Sequence, residues 1–351
     1  MAEKSNKKQK NSQIHKPILL IVLLLILFGL YGTYILFIPN ISPKENSKTF
    51  LCIPDSSSLN DVLSIIQKTA KIGNVSSFRQ VATIMRYNKI HPGRYEINGH
   101  VNNFSLIRLL RSGRQTPVKL TFNNIRTKEQ LAGKLADQLM ADSVSIINLM
   151  NDSAYLAAYG LDTNTVVALF IPNTYEIFWN VKAPKIFERM KKEYDNFWTP
   201  DRVAKADSIP FTPIEVSTLA SIVEEETNGK AERRMVAGLY INRLKQDMPL
   251  QADPTLKFAV GDFKLKRLGI EQIKKPSPYN TYLNKGLPPG PIRVASPAGI
   301  DAVLNYTHHK YIYMCAKETL NGEHNFASSY AEHMRNAKKY QKALNDRKIF
   351  K

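Results

Sequence analysis

LASIVEEET, residues 219–227, decides how the larger part of this chain is read. Advancing about 100° per residue from Leu219 puts Ile222 at about −60°, Val223 at about +40° and Glu226 at about −20°. Glu226 therefore continues an i, i+3, i+4 apolar stripe and is expected to face the core side. Glu224, at about +140°, and Glu225, at about −120°, are expected to face away and to matter little. A carboxyl withdrawn from water loses hydration, which disfavours its charged form and raises its pKa. A general acid working near neutral pH needs that property. The competing reading is structural, with Glu226 paired to a buried arginine or capping a neighbouring helix.

Outward from this helix the polar motifs accumulate. Residues 230–246 predict a second amphipathic helix with Val236, Leu239, Tyr240 and Leu244 on one face. Leu250-Gln251-Ala252-Asp253-Pro254-Thr255 follows, gathering polar groups around a proline that cannot continue a helix. Tyr279-Asn280-Thr281-Tyr282 and the stiff loop GLPPGPI, residues 286–292, come next. Tyrosine and asparagine offer flat apolar faces and paired donors and acceptors, which sugars need for stacking and hydroxyl recognition. Gln251, Asn280, Tyr282 and His324 are thus groove candidates, each with a packed structural role as the alternative. Asp253 is either a turn cap or a second carboxylate opposite Glu226. The adjacent His308 and His309 lack the spacing of a metal site.

Taken together and in this order, these motifs, with Ile241-Asn242-Arg243-Leu244 and His324-Asn325-Phe326, resemble the endolytic murein transglycosylases, the YceG-like family. The likeness runs from about residue 118 onward. It implies that Glu226, the second glutamate of E-x-E-T, is catalytic, the residue that the helix geometry also selects. It implies cleavage of the β-1,4 bond between N-acetylmuramic acid and N-acetylglucosamine, giving 1,6-anhydro ends without cofactor or metal. Substrate-binding candidates on the matching motifs are Gln251, Asp253, Thr255, Tyr279, Asn280, Tyr282 and His324. The implied partners are peptidoglycan strands and the peptidoglycan synthases at the membrane. Two positions depart from the family: Glu225, where lysine is frequent, and Asn123-Asn124, where a Glu-Gly turn is common. A wall-binding scaffold without activity, or a hydrolytic muramidase using Asp253, are the rival functions.

The N-terminus supplies the compartment. Residues 17–38 contain no charged side chain, enough to cross a hydrocarbon core of ~30 Å. Phe37-Ile38-Pro39-Asn40 is a poor cleavage site, so an uncleaved anchor is expected rather than a signal peptide. Lys4, Lys7, Lys8, Lys10 and Lys16 against Glu3 predict that residues 1–16 stay cytoplasmic, with the rest outside. With 49 Lys and Arg against 30 Asp and Glu, the chain suits anionic surroundings. Export turns that preference from nucleic acid towards lipid headgroups and wall polymers.

Between anchor and catalytic region, residues 40–46 are expected as a linker. Strand, helix, helix, strand and a further short helix should follow to about residue 113, a small module that the family resemblance implies to be LysM-like. The expected fold class is α+β: a transmembrane helix over 17–38, linker and LysM-like α/β module over 39–115, and a mixed catalytic domain over 116–351. Hydrophobic residues at 43% and charged residues at 23% exclude a mainly disordered chain. Cys52 and Cys315 are too few for a zinc cluster, and both are expected as unpaired, buried thiols, with a single long-range bridge as the alternative.

Overall fold

The computed structural model describes residues 3–45, 47–265 and 268–347, with side chains from residue 17 onward. The side chains of the predicted cytoplasmic tail, and residues 348–351 of the predicted catalytic domain, lie outside the described residues. The architecture is α+β. It divides into two compact units, residues 1–118 with 176–180, and residues 119–175 with 181–351.

In the first unit, the helix Glu3–Phe37 carries an apolar section, Pro17–Phe37, long and apolar enough to cross a membrane. Most of the expected linker is instead a strand, Pro39–Pro43, in the middle of a three-stranded sheet between Ala70–Ile72 and Val101–Asn102, while residue 46 lies outside the described residues. Ile41 is buried there, and Asn40 ties the strand down through Asn74 and Asn103. Lys48–Ile53 and Gly93–Asn98 pair antiparallel, and their period-2 pattern buries Leu51, Ile53, Tyr95 and Ile97. Helix Leu59–Thr69 opens with a Ser58/Asp61 capping box, while Asn74 and Asn102 cap Val75–Ile84 and Asn103–Ser112. Their apolar faces close over one core that includes Phe78 and Ile107.

Helix Pro213–Glu226 is central to the second unit. Pro213 occupies its first turn, where a missing N–H costs nothing, and Thr212 with Glu215 forms a capping box. All nine residues from Val216 to Glu224 are buried. Helices Arg233–Lys245, Asp253–Val260 and Pro297–Leu304 pack around it. A single apolar stripe is therefore the wrong description, because this helix meets protein on every side. Small residues make that possible. Ser221 satisfies its hydroxyl inside, donating to the Thr218 carbonyl at 2.7 Å and accepting from the Ile292 N–H at 3.0 Å.

The Asp253-Pro254-Thr255 segment also differs from expectation. It starts a helix, Asp253–Val260, because proline is disruptive inside a helix but favoured in the first turn. The strands Tyr313–Ala316 and His324–Ala327 form an antiparallel pair, followed by helix Tyr330–Asp346. Both cysteines are free, and partly rather than fully buried.

Candidate active site

Glu226 is the last residue of the central helix, where the chain leaves regular structure and its side chain reaches the wall of a cleft of about 420 Å³. Gln251, Asp253, Tyr282 and His324 line the same cleft. Glu226 Oε2 is buried and has no hydrogen-bond partner among the described residues. Burial, reinforced by the negative charge of Asp253, pushes the Glu226 pKa up to about 7. The nearby His324, the Tyr240 hydroxyl and Lys257 pull weakly the other way. A buried carboxyl oxygen without a partner costs stability, and packing gives no reason to keep one.

The other cleft residues are held by a rigid frame. Asp253 is exposed and accepts a hydrogen bond from the Tyr282 hydroxyl. Gln251 sits at φ +50°, its N–H donating to the Thr281 carbonyl at 3.0 Å. Buried Arg243 donates to the carbonyls of Ile312 at 2.7 Å and Leu250 at 2.8 Å, joining two cleft walls. His324 is oriented by Glu232, which accepts from its backbone N–H at 2.7 Å and lies 2.9 Å from Nδ1. The same carboxylate accepts from Thr227 Oγ1 at 2.7 Å, so the residue after Glu226 and the His324 strand share one clamp.

Three predicted substrate contacts do not line this cleft. Thr255 is buried, and its hydroxyl engages the Ala252 carbonyl and Thr281 Oγ1, each at 2.8 Å. Buried Asn280 donates to the carbonyls of Ile273 at 2.9 Å and Lys275 at 2.8 Å, and accepts from the Tyr282 N–H at 3.0 Å. Tyr279 packs on Phe258, with ring centroids 4.8 Å apart, against a separate depression. Neighbours on a tight loop point in different directions, so these residues shape the loop that presents Gln251 and Tyr282.

Sequence reasoning missed Arg243, Tyr313, Tyr330 and His333 in the cleft wall, and Glu232 behind it. Tyr240 was legible only as part of a helix face. Glu224 and Glu225 also need correction. Glu224 is the deepest of the three glutamates by side-chain burial, accepting from Ser296 N at 2.8 Å and from Ser296 Oγ, with Arg233 Nη1 at 3.2 Å. A Cβ on Gly299 would lie 2.5 Å from the Glu224 carboxyl carbon, so glycine is required there. Glu225 binds Arg126 at 2.7 Å and Arg293 at 2.8 Å, and Arg293 also donates to Asn124 Oδ1 at 2.8 Å. Asn124 takes φ +51°, the left-handed backbone that glycine and asparagine adopt most readily.

A groove walled by tyrosines, an amide and two histidines around one buried carboxyl belongs to the class of sites equipped for general acid–base catalysis. Family comparison agrees: residues 51–339 match the YceG-like family model, and the chain belongs to that family. The endolytic murein transglycosylase of Bacillus subtilis is 28% identical over 322 residues, covering 87% of this chain and 88% of that protein. That of Streptococcus pneumoniae serotype 2 is 25% identical over 352 residues, covering 90% of this chain but only 63% of the pneumococcal protein. A crystal structure of a YceG-like protein from Listeria monocytogenes superposes with a TM-score of 0.56 at 26% identity, over 82% of this chain and 98% of that one.

Proposed function

We propose that this chain is a membrane-anchored peptidoglycan lytic transglycosylase. It cuts the β-1,4 bond between N-acetylmuramic acid and N-acetylglucosamine within nascent strands, beside the synthases that make them. The observation that carries this reading is Glu226, whose buried carboxyl has an unpartnered oxygen and a pKa pushed up to about 7. Protonated, Glu226 gives its proton to the leaving glycosidic oxygen as positive charge develops at C1 of the muramoyl ring. The carboxylate then takes the proton of the muramoyl C6 hydroxyl, whose oxygen bonds to C1 and closes the 1,6-anhydro ring. Water is not consumed, and the carboxyl returns to its starting state. An intramolecular nucleophile gains effective molarity and removes the need for a second carboxylate. Gln251, Tyr282 and His324 supply hydrogen bonds and an aromatic face to the sugars. Glu232 and Arg243 keep those groups in place.

The apolar helix Pro17–Phe37 supports the anchor, and the lysines before it support a cytoplasmic N-terminus with the catalytic unit outside. The unit before the catalytic region, read as LysM-like, would contribute wall binding. A scaffold without activity has no use for a carboxyl that keeps a buried, unpartnered oxygen. Asp253 favours one second reading, a hydrolytic muramidase, because it lines the same cleft and its charge acts on Glu226.

Mass spectrometry of products from defined uncrosslinked glycan, digested in heavy-oxygen water, separates the two. Unlabelled ends about 18 Da lighter than reducing ends, with activity surviving Asp253→Asn, are the expected result. Labelled reducing ends, lost with Asp253→Asn, would make the protein a muramidase with two catalytic carboxylates.

A further inference from the structure

The first unit is built directly against the outer end of the apolar helix. Asn103 Nδ2 donates to the Ile35 carbonyl at 2.8 Å, Asn102 Nδ2 to the Phe37 carbonyl at 3.2 Å, and the Phe104 ring packs at a tilt on Phe37 with centroids 5.6 Å apart. Helix Val75–Ile84 runs back along that same apolar helix. Its cap, Asn74, is bonded to Asn40 at 2.7 Å, beyond the helix end, whereas Gln80 accepts from the Tyr31 hydroxyl at 2.7 Å, within the apolar run. Continuing from Gln80 to Ile84 carries the chain about 6 Å further in the same direction. Ile84, at the end of that path, is 63% exposed.

The surroundings of Ile84 are basic. Arg79, Arg86 and Lys89 are exposed on the same helix and the turn after it. Exposed Arg111 donates to the Met85 carbonyl at 2.9 Å, which places it at that turn. Arg108 lies over the Phe104 ring at 5.6 Å, close to Phe37. The sequence around them is poor in acids, Glu96 being the only Asp or Glu between Asp61 and Glu129. Tyr31 and Tyr34, both about half exposed, are the amphipathic residues that collect at a membrane–water boundary.

We propose that this tip is a lipid-binding surface. Ile84 inserts below the headgroup phosphates of the exported leaflet, while Arg79, Arg86, Lys89, Arg108 and Arg111 bind the phosphates of anionic glycerophospholipids. The geometry selects lipid as the occupant because the surface is continuous with the apolar span and points along it. An apolar residue ringed by cations at that level meets acyl chain and phosphate together. The inference rests on the membrane-anchored reading. Its consequence is that the first unit stands in a fixed orientation on the bilayer instead of swinging from a flexible tether.

The test uses the full chain in lipid nanodiscs, with Cys52→Ser and Cys315→Ser and single spin labels at Leu24→Cys, Ser76→Cys or Ile84→Cys. Oxygen collides preferentially with labels in lipid, and a nickel chelate with labels in water. In discs of anionic phospholipid, the oxygen-to-nickel ratio at position 84 is expected to exceed that at position 76, on the same helix, several-fold. In zwitterionic discs the ratio at 84 should fall. Position 24 in lipid with position 84 in water, or shielded from both reagents by protein, overturns the proposal while leaving the anchor intact. Position 24 outside lipid overturns the anchor and this proposal with it. An unchanged ratio at 84 in zwitterionic discs overturns the assignment of the five cations to phosphate.

Discussion

Glu226 is held where its charged form is penalised, and three outcomes follow at the scale of this one residue. Glu226→Gln keeps the shape but has no transferable proton, so glycan cleavage should fall by roughly 10³-fold or more with the fold intact. The same change should stabilise the protein at alkaline pH. The folded carboxyl titrates near 7 against an ordinary value of 4.5. Below pH 4.5 it is protonated in both states and the two proteins should melt alike. Between 4.5 and 7 the unfolded chain ionises first, and above 7 the full penalty falls on the native protein, on the order of 1–3 kcal/mol. Calorimetry at pH 8 should therefore give Glu226→Gln the higher Tm, with the gap closing towards pH 4.5. A variant no more stable than the parent at pH 8 would contradict the buried, raised carboxyl. The alkaline limb of the pH profile gives a third outcome: kcat/KM for glycan cleavage should decline as pH rises through about 7, because the donating form is lost.

The element scale belongs to the helix Pro213–Glu226 and its three glutamates. Glu224→Gln strips the charge from a buried carboxylate and leaves Arg233 inadequately paired, so it should cost about 2–4 kcal/mol in denaturant unfolding. Gly299→Ala should be comparably harmful, since its methyl would collide with the same carboxyl. Glu225→Gln weakens two ion pairs that are only partly buried, and about 1–2 kcal/mol is expected. Neither glutamate lines the Glu226 cleft, so folded Glu225→Gln should keep most of its activity per molecule. A thousandfold loss in that variant at matched folded fraction would remove the special status of Glu226. This order of costs departs from the helical wheel. An angular coordinate says which side of a helix a residue occupies, and here protein lies on every side.

At the scale of the whole molecule, the anchor and the family membership make a joint demand. Under the proposed function the cleft has to stand outside the cytoplasmic membrane, the orientation that the lysine-rich start of the chain also predicts. Protease added to intact spheroplasts should therefore digest residues 39–351 and spare a short anchored fragment. Protection of the catalytic unit would overturn both the topology and the wall substrate. The lipid-facing tip adds that cleavage near Lys89 should be slower in membranes than in detergent, where no bilayer shields that turn.

What the sequence determined by itself is local. The uncharged run over 17–38 and the first strand of the small module, Lys48–Ile53, are each written within a few adjacent residues. Glu226 was legible for the same reason, as a carboxyl continuing an apolar stripe. Only tertiary structure decided the rest. Residues 40–43 of the expected linker became a strand because their partners, Ala70–Ile72 and Val101–Asn102, arrive from far along the chain. Glu224 became the deepest glutamate because Ser296 and Gly299 fold over a face that looks polar in isolation. Thr255 and Asn280 turned inward to satisfy a loop, while Tyr282, beside them, turned to the cleft. Periodicity reports where a side chain leaves its own backbone. What it then meets depends on residues tens of positions away, brought there by burial and hydrogen bonding that no local window contains.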